Sequence, residues 1–312
     1  MSESSGEQGI WGRFPDDPHR GISRNELSSV NAREELFDAA AEEALTNGIA
    51  TSIEPIQSSH SRSYLVRFAD GSAGVFKPVD QEQKSIGYPH NEAGTYYKRE
   101  RASYIVDKYL RLGLIPPTVI RTLEGRVGSM QQFIPRTEWY PTDDERDWAS
   151  PEEEQQFKAR HARTARRTYA QRIEEFKRLW LYDLLIWNCD RSQGNVLVKD
   201  RWIVGVDNNL TFGDDGLKLY RSHNYTDGPL PEDVVRSINE LSSDEEAKEQ
   251  LRVELMELLT TQEVDAFFSR LQSISKVLIE HGGAIPEEDM RLFGFSGFES
   301  VTNNPRGPER SD

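Results

Sequence analysis

A long helical run, Asn91 to Leu112, lies between two β-hairpins, and this order constrains the fold most. The first hairpin pairs Ser63–Phe68 with Gly74–Phe76 across Ala69-Asp70-Gly71-Ser72. The second pairs Val119–Thr122 with Val127–Phe133 across Glu124-Gly125. Each turn sets Gly beside an acidic residue, the chemistry of tight hairpins. Two hairpins expose an apolar sheet face, and a helix between them can cover it. Asn91 reads as the N-cap of that helix and Gly113 as its stop. A helix over 31–47 (NAREELFDAAAEEALTN) precedes the hairpins, ended by Gly48. Residues 31–135 therefore read as a small α+β lobe.

Beyond Pro135 the pattern changes. Pro135, Pro141 and Pro151 interrupt the chain, and a charged stretch follows. A helix from Glu174 to Trp187 carries Phe176, Leu179, Trp180, Leu184 and Trp187 at helical spacing. Next come the loop NCDRSQGN and a tight hairpin, Val196–Lys199 with Trp202–Val206. Pro231 to His281 is helical again. Residues 136–281 thus form a mostly helical lobe with a charged insert at 136–178. Residues 1–30 read as a loose arm and 282–312 as a tail. At about 150 residues per domain, this length suits two lobes.

Composition excludes several functions. A single cysteine, Cys189, cannot build a disulfide framework or a cysteine zinc site. The N-terminal MSESSGEQGIWGRF lacks the apolar core of a secretory signal, so a cytoplasmic location is expected. The apolar stretch Leu179–Cys189 is too short to span a bilayer and contains Asp183, so no integral membrane segment is expected. A net charge of −15 argues against nucleic acid as a partner.

The polar residues that remain form an ordered set. Lys77 ends a strand in GVFKP, where a lysine can hold the α- and β-phosphates of a nucleotide. It needs an acidic partner, and Glu100 on the following helix supplies one. Glu92 lies about 80° away from Glu100 around the helix, at about 100° per residue. Asp190 and Asn195 in NCDRSQGN have the spacing D-x-x-x-x-N of a kinase catalytic loop. The Asp can accept the proton of an attacking hydroxyl, and the Asn can bind a metal. Asp207, after the hairpin, offers a second carboxylate for metal-bound phosphate. Oxygen ligands of this kind suit Mg2+. Each motif is common alone, but the ordered combination Lys, Glu, Asp, Asn, Asp is not.

With these residues in place, the sequence resembles the phosphatidylinositol 3-/4-kinase superfamily, and type II phosphatidylinositol 4-kinase-like proteins most. The matching stretches are VFKP at 75–78, RERASYIVDKYL at 99–110 and IPPTVI at 115–120. Most specific are LWLYDLLIWNCDRSQGNVLV at 179–198 and VDNNLTF at 206–212. The resemblance implies an α+β, bilobal protein-kinase-like fold, with a sheet-plus-helix N-lobe and a mostly helical C-lobe. It implies ATP and Mg2+ as cofactors, held by Lys77, Glu100, Asp190, Asn195 and Asp207. It places adenine against the backbone near Gln131, Gln132 and Phe133. The turn over the phosphates would be Gln57–Ser63, with Ser61 and Ser63 where the family has glycines. The family's Asp-Asn-Gly reads Asp207-Asn208-Asn209, so Asn209 is expected to take the left-handed conformation of the missing glycine.

The resemblance leaves the acceptor open between a protein and a phosphoinositide. The acidic composition and the lack of a cysteine-rich lipidation segment favour protein, and the HipA-like kinases of this fold phosphorylate proteins. A nucleotide-binding pseudokinase or scaffold is a further reading, opposed by the intact residue set. The basic run 158–178 offers a peripheral membrane contact, though a solvated helix is the commoner use of such a run. Trp180, Trp187, Tyr96, Tyr97, Tyr104 and Cys189 read as packing, and His60 as a surface residue.

Overall fold

The first half of the chain builds one five-stranded antiparallel sheet. Its strands are β1 (Ala50–Ile56), β2 (Ser63–Phe68), β3 (Ala73–Pro78), β4 (Thr118–Leu123) and β5 (Arg126–Gln132), in the order β1-β2-β3-β5-β4. The computed structural model describes residues 39–56, 62–83, 93–135, 172–199, 202–213 and 228–289, with isolated positions 150, 152 and 155. Both expected hairpins are present. Asp70 Oδ1 accepts from Ser72 N at 2.9 Å in the first turn. Glu124 and Gly125 take φ of 49° and 77° in the second, the double positive φ of the favoured hairpin turn. β1 was not foreseen. Its sequence ATSIEPI has a proline and little apolar alternation, which an edge strand tolerates.

The two sheet faces have different uses. Ile53, Tyr64, Val66, Phe68, Phe76, Val119, Leu123 and Met130 pack together with Leu45 of α1 (Ala39–Asn47). Ile56, Leu65, Ala73, Val75 and Phe133 form a smaller apolar group on the other face. Lys77 lies two residues beyond Val75 and shares that face. Gly128 keeps β3 and β5 close beside it: a Cβ there would come 2.3 Å from the Lys77 carbonyl oxygen. Gly128→Ala is therefore predicted to destabilise the fold by about 1–3 kcal/mol in urea unfolding. An unchanged midpoint would contradict this.

The central helix, α2, spans Tyr96–Leu110, not Asn91–Leu112. Gly94, at φ 97°, and Thr95 precede it, and Asn91 lies outside the described residues. Thr95 makes no side-chain cap. Instead the Glu82 carboxylate accepts from Gly94 N at 2.5 Å, Tyr97 N at 2.8 Å and Tyr96 N at 3.1 Å. A carboxylate far back in sequence thus caps the helix dipole. Burial raises the Glu82 pKa. Glu42 of α1 ties α1 to α2, accepting from Lys108 at 2.6 Å, Tyr104 at 2.9 Å and Arg101 at 3.1 Å. Burial pushes the Glu42 carboxyl up, but these three donors outweigh it and hold its pKa below the usual value. A depressed carboxylate pKa stabilises the fold above the unfolded pKa, about 4.3, and that contribution is lost as pH falls through the folded value. Glu42→Gln is therefore predicted to lower Tm at pH 7 and to converge with wild type in acid. A constant difference across pH would contradict this.

Among the described residues the second half is helical around one hairpin. Its elements are α3 (Ile173–Ile186), β6 (Val196–Lys199), β7 (Trp202–Gly205), α4 (Glu232–Ser243), α5 (Glu245–Met256) and α6 (Thr261–Glu280). Leu179, Trp180, Leu184 and Trp187 join Phe212 and Phe267 in its core, as their spacing foretold. Ala102, Ile105 and Val106 of α2 enter the same core, so α2 is shared between sheet and helices. Tyr182 Oη donates to the Ser103 carbonyl and reinforces that docking. Thr260 and Glu263 form a capping box at the start of α6. Of the basic run 158–178, only 172–178 falls among the described residues. There Lys177 pairs with Glu174, and Arg178 pairs with Glu175 and Asp233.

Candidate active site

Each candidate side chain is placed by a different element. Lys77 comes from β3, Glu100 from α2 and Asp207 from the segment after β7. The Lys77 ammonium meets Glu100 Oε1 at 2.5 Å and Asp207 Oδ1 at 2.7 Å. Burial alone would depress its pKa, but Asp207 and Glu100 outweigh that and hold it above the usual lysine range. Lys77 is therefore a fixed positive charge. Glu100 is 2% exposed, and its second oxygen accepts from Asn208 N at 3.1 Å. One buried carboxylate thus joins the sheet lysine to the Asp207 segment.

The loop Asp190–Asn195 is set by the end of α3. Trp187 takes φ 56° and closes the helix, and Asn188 N returns to the Asp183 carbonyl at 2.9 Å. Cys189 N donates to the Leu210 carbonyl at 3.0 Å, and Phe212 N to the Ile186 carbonyl at 2.7 Å. These bonds zip the loop to the segment that carries Asp207. Asp190 N donates to Asn188 Oδ1 at 3.0 Å, and the Asp190 carbonyl accepts from Ser192 N at 2.7 Å. Asn195 Nδ2 donates to the same carbonyl at 3.0 Å, leaving Oδ1 as the Asn195 side-chain atom able to ligate a cation. Val206 N donates to the Asn195 carbonyl at 2.9 Å, which brings Asn195 beside Asp207. One amide and one carboxylate oxygen fit a hard cation such as Mg2+, which keeps water or phosphate in its other positions. Among the described residues no group of three or more His, Cys, Asp or Glu forms a separate metal cluster.

The remaining site expectations fare differently. Phe133 packs with Ile56, Leu65, Ala73 and Val75, giving an apolar surface on the face that Lys77 shares. The backbone N–H of Gln132 already donates to Pro117 O at 2.8 Å, and that of Phe133 to Ala73 O at 3.0 Å. A backbone donor to adenine would therefore lie beyond Phe133. Ser63 is buried at the start of β2, opposite Ile56, while Ser61 lies outside the described residues. The left-handed conformation expected at Asn209 falls on Asp207, at φ 59°. Asp207 holds it because both its neighbours are fixed: Val206 by Asn195 and Arg191, Asn208 by Glu100, Asn188 and Arg191.

Sequence reading missed Arg191, Asp183 and Asn208 as site residues. Arg191 grips Asp183 through two bonds of 2.9 Å. Asn208 is fully buried and links Asn188, Gly205 and Arg191. The available signal was Asp183 itself, because a carboxylate amid the apolar run LWLYDLLIW needs a buried partner.

Comparison with known proteins bears on the fold. No family model matches the chain. Protein Rv2133c of Mycobacterium tuberculosis is 27% identical over 186 residues, 53% of this chain. That match spans 64% of the relative's own length, short of two thirds. A solved structure of the Golgi casein kinase with Mn/ADP bound covers 80% of this chain and 77% of its own, at 16% identity and a TM-score of 0.50. A second Golgi casein kinase structure covers 86% of this chain and 82% of its own, at 17% identity and a TM-score of 0.50. The antiparallel sheet and the helices around it form a kinase-like fold.

Proposed function

We propose that the chain is an ATP- and Mg2+-dependent kinase that passes the γ-phosphoryl group to a hydroxyl on a protein. The observation that carries this reading is the contact of Lys77 with both Glu100 and Asp207, beside the loop Asp190–Asn195. In this reading Lys77 holds the α- and β-phosphates, with Glu100 fixing its direction. Asn195 and Asp207 hold the metal, and Asp190 accepts the proton of the attacking hydroxyl. A metal bound there would supply neutralisation of charge on the phosphate oxygens, and the protein's remaining task is positioning. Phe133 and Val75 offer adenine an apolar surface. The loop motif and VDNNLTF favour the phosphatidylinositol-kinase-like branch of this fold.

A protein acceptor fits better than a lipid. The net charge of −15 opposes an anionic membrane surface. Lys177 and Arg178 of the basic run are engaged with acids of this chain. The solved neighbours are named for casein, a protein, and one holds Mn/ADP, which supports nucleotide and divalent metal here. Mg2+-ATP at about a hundredfold excess over Kd is predicted to stabilise the fold by roughly 2.7 kcal/mol and to be consumed. A Tm that ignores Mg2+-ATP would contradict the proposal. A raised Tm without consumption would favour a scaffold that binds nucleotide.

A further inference from the structure

The Arg191 guanidinium is buried between three parts of the site. Its side chain is 6% exposed, and that of its partner Asp183 is 4% exposed. Nε and Nη2 each reach an Asp183 oxygen at 2.9 Å, which anchors the group to α3. Nη1 donates to the Asn195 carbonyl at 2.9 Å and to the Val206 carbonyl at 2.8 Å. Nη2 also donates to Asn208 Oδ1 at 2.5 Å. Gly205 leaves room for the group: a Cβ there would stand 2.7 Å from Nη2 and 2.8 Å from Cζ.

The two candidate metal ligands therefore share one anchor. Asn195 is bonded to Arg191 directly, and both chain neighbours of Asp207 are bonded to it. Asp207 itself holds a left-handed backbone, which a non-glycine residue keeps only where its surroundings impose it. We propose that Arg191, clamped by Asp183, is the positioning residue that sets the spacing of Asn195 and Asp207 and so controls how strongly a metal couples to nucleotide. This inference rests on the kinase reading of the site. A planar fork reaches all these acceptors at once, whereas a lysine ammonium is a single point donor. Arg191→Lys keeps the charge beside Asp183 and loses the bridge.

The test separates metal coupling from general integrity. ADP affinity is measured with a fluorescent ADP analogue, once in EDTA and once with saturating Mn2+, and the ratio gives the gain due to metal. The wild type is expected to show a clear gain. Arg191→Lys is expected to leave affinity in EDTA unchanged and to cut the Mn2+ gain by about 10- to 100-fold, the usual cost of losing a group that orients a metal ligand. Transfer by the variant should recover as Mn2+ is raised. A folded Arg191→Lys protein with the wild-type Mn2+ gain would overturn the proposal. So would equal losses with and without metal, which mark a merely structural role. If Arg191→Lys does not fold, Gly205→Ala carries the same test, because its Cβ displaces the guanidinium without removing it. If neither folds, Arg191 is a determinant of folding and the proposal is overturned. A wild type that binds ADP without any response to Mn2+ would overturn the site reading and this inference with it.

Discussion

Asp190→Ala is expected to lower phosphoryl transfer by about 10²- to 10⁴-fold, the range for loss of a positioned general base, with nucleotide affinity staying at the wild-type level. The loop explains the separation. Its shape is carried by the Asp190 backbone, whose N–H donates to Asn188 and whose carbonyl accepts from Ser192 and Asn195. Removing the carboxylate leaves these bonds in place, so Asn195 stays beside Val206. Asp190→Asn, of the same size, should fail in the same way, because an amide cannot accept the proton. Steady-state kinetics would show a fall in kcat with little change in KM. An Asp190→Ala protein with wild-type kcat would remove Asp190 from the chemistry.

Asp207 should show the other large effect, and through binding. Its carboxylate faces Lys77, and in the proposed site it would be the charged member of the ligand pair with Asn195. Alanine at φ 59° would add backbone strain, so Asp207→Asn is the cleaner variant, since Asn tolerates that conformation. We expect Asp207→Asn to lose transfer by at least about 10²-fold, the scale of several kcal/mol of metal-supplied stabilisation. It should also lose the response of ADP affinity to Mn2+, and Lys77 should keep Glu100 as its partner. An Asp207→Asn protein with the wild-type metal response would show that another group holds the metal.

Much of the candidate site was legible in the sequence because its parts sit on short local patterns. Lys77 follows an alternating strand, and Glu100 is chosen by helical spacing. Asp190 and Asn195 share one loop, and Asp207 follows a hairpin with clear turn chemistry. What escaped depends on contacts across the chain. The start of α2 is set by Glu82, which no local capping rule finds. β1 is held by its pairing with β2, and its own composition, with Pro55, argues against a strand. The left-handed residue is Asp207 because Arg191 and Glu100 fix its neighbours, and a glycine-for-asparagine comparison at position 209 could not reveal that. The Asp183–Arg191 pair forms only when the loop folds back onto α3. Ser61 and most of the charged insert lie outside the described residues.

The measurement that tests the central claim most directly is transfer of labelled γ-phosphate from ATP with Mg2+. The reaction would hold the protein, mixed phosphatidylinositol micelles and a cell lysate, with Asp190→Ala as the control, followed by organic extraction. The predicted result is label on protein in the aqueous phase that the Asp190→Ala control lacks. Label confined to the organic phase would make the acceptor a lipid. No label in either phase, or equal label with Asp190→Ala, would contradict a kinase built on Lys77, Asp190, Asn195 and Asp207.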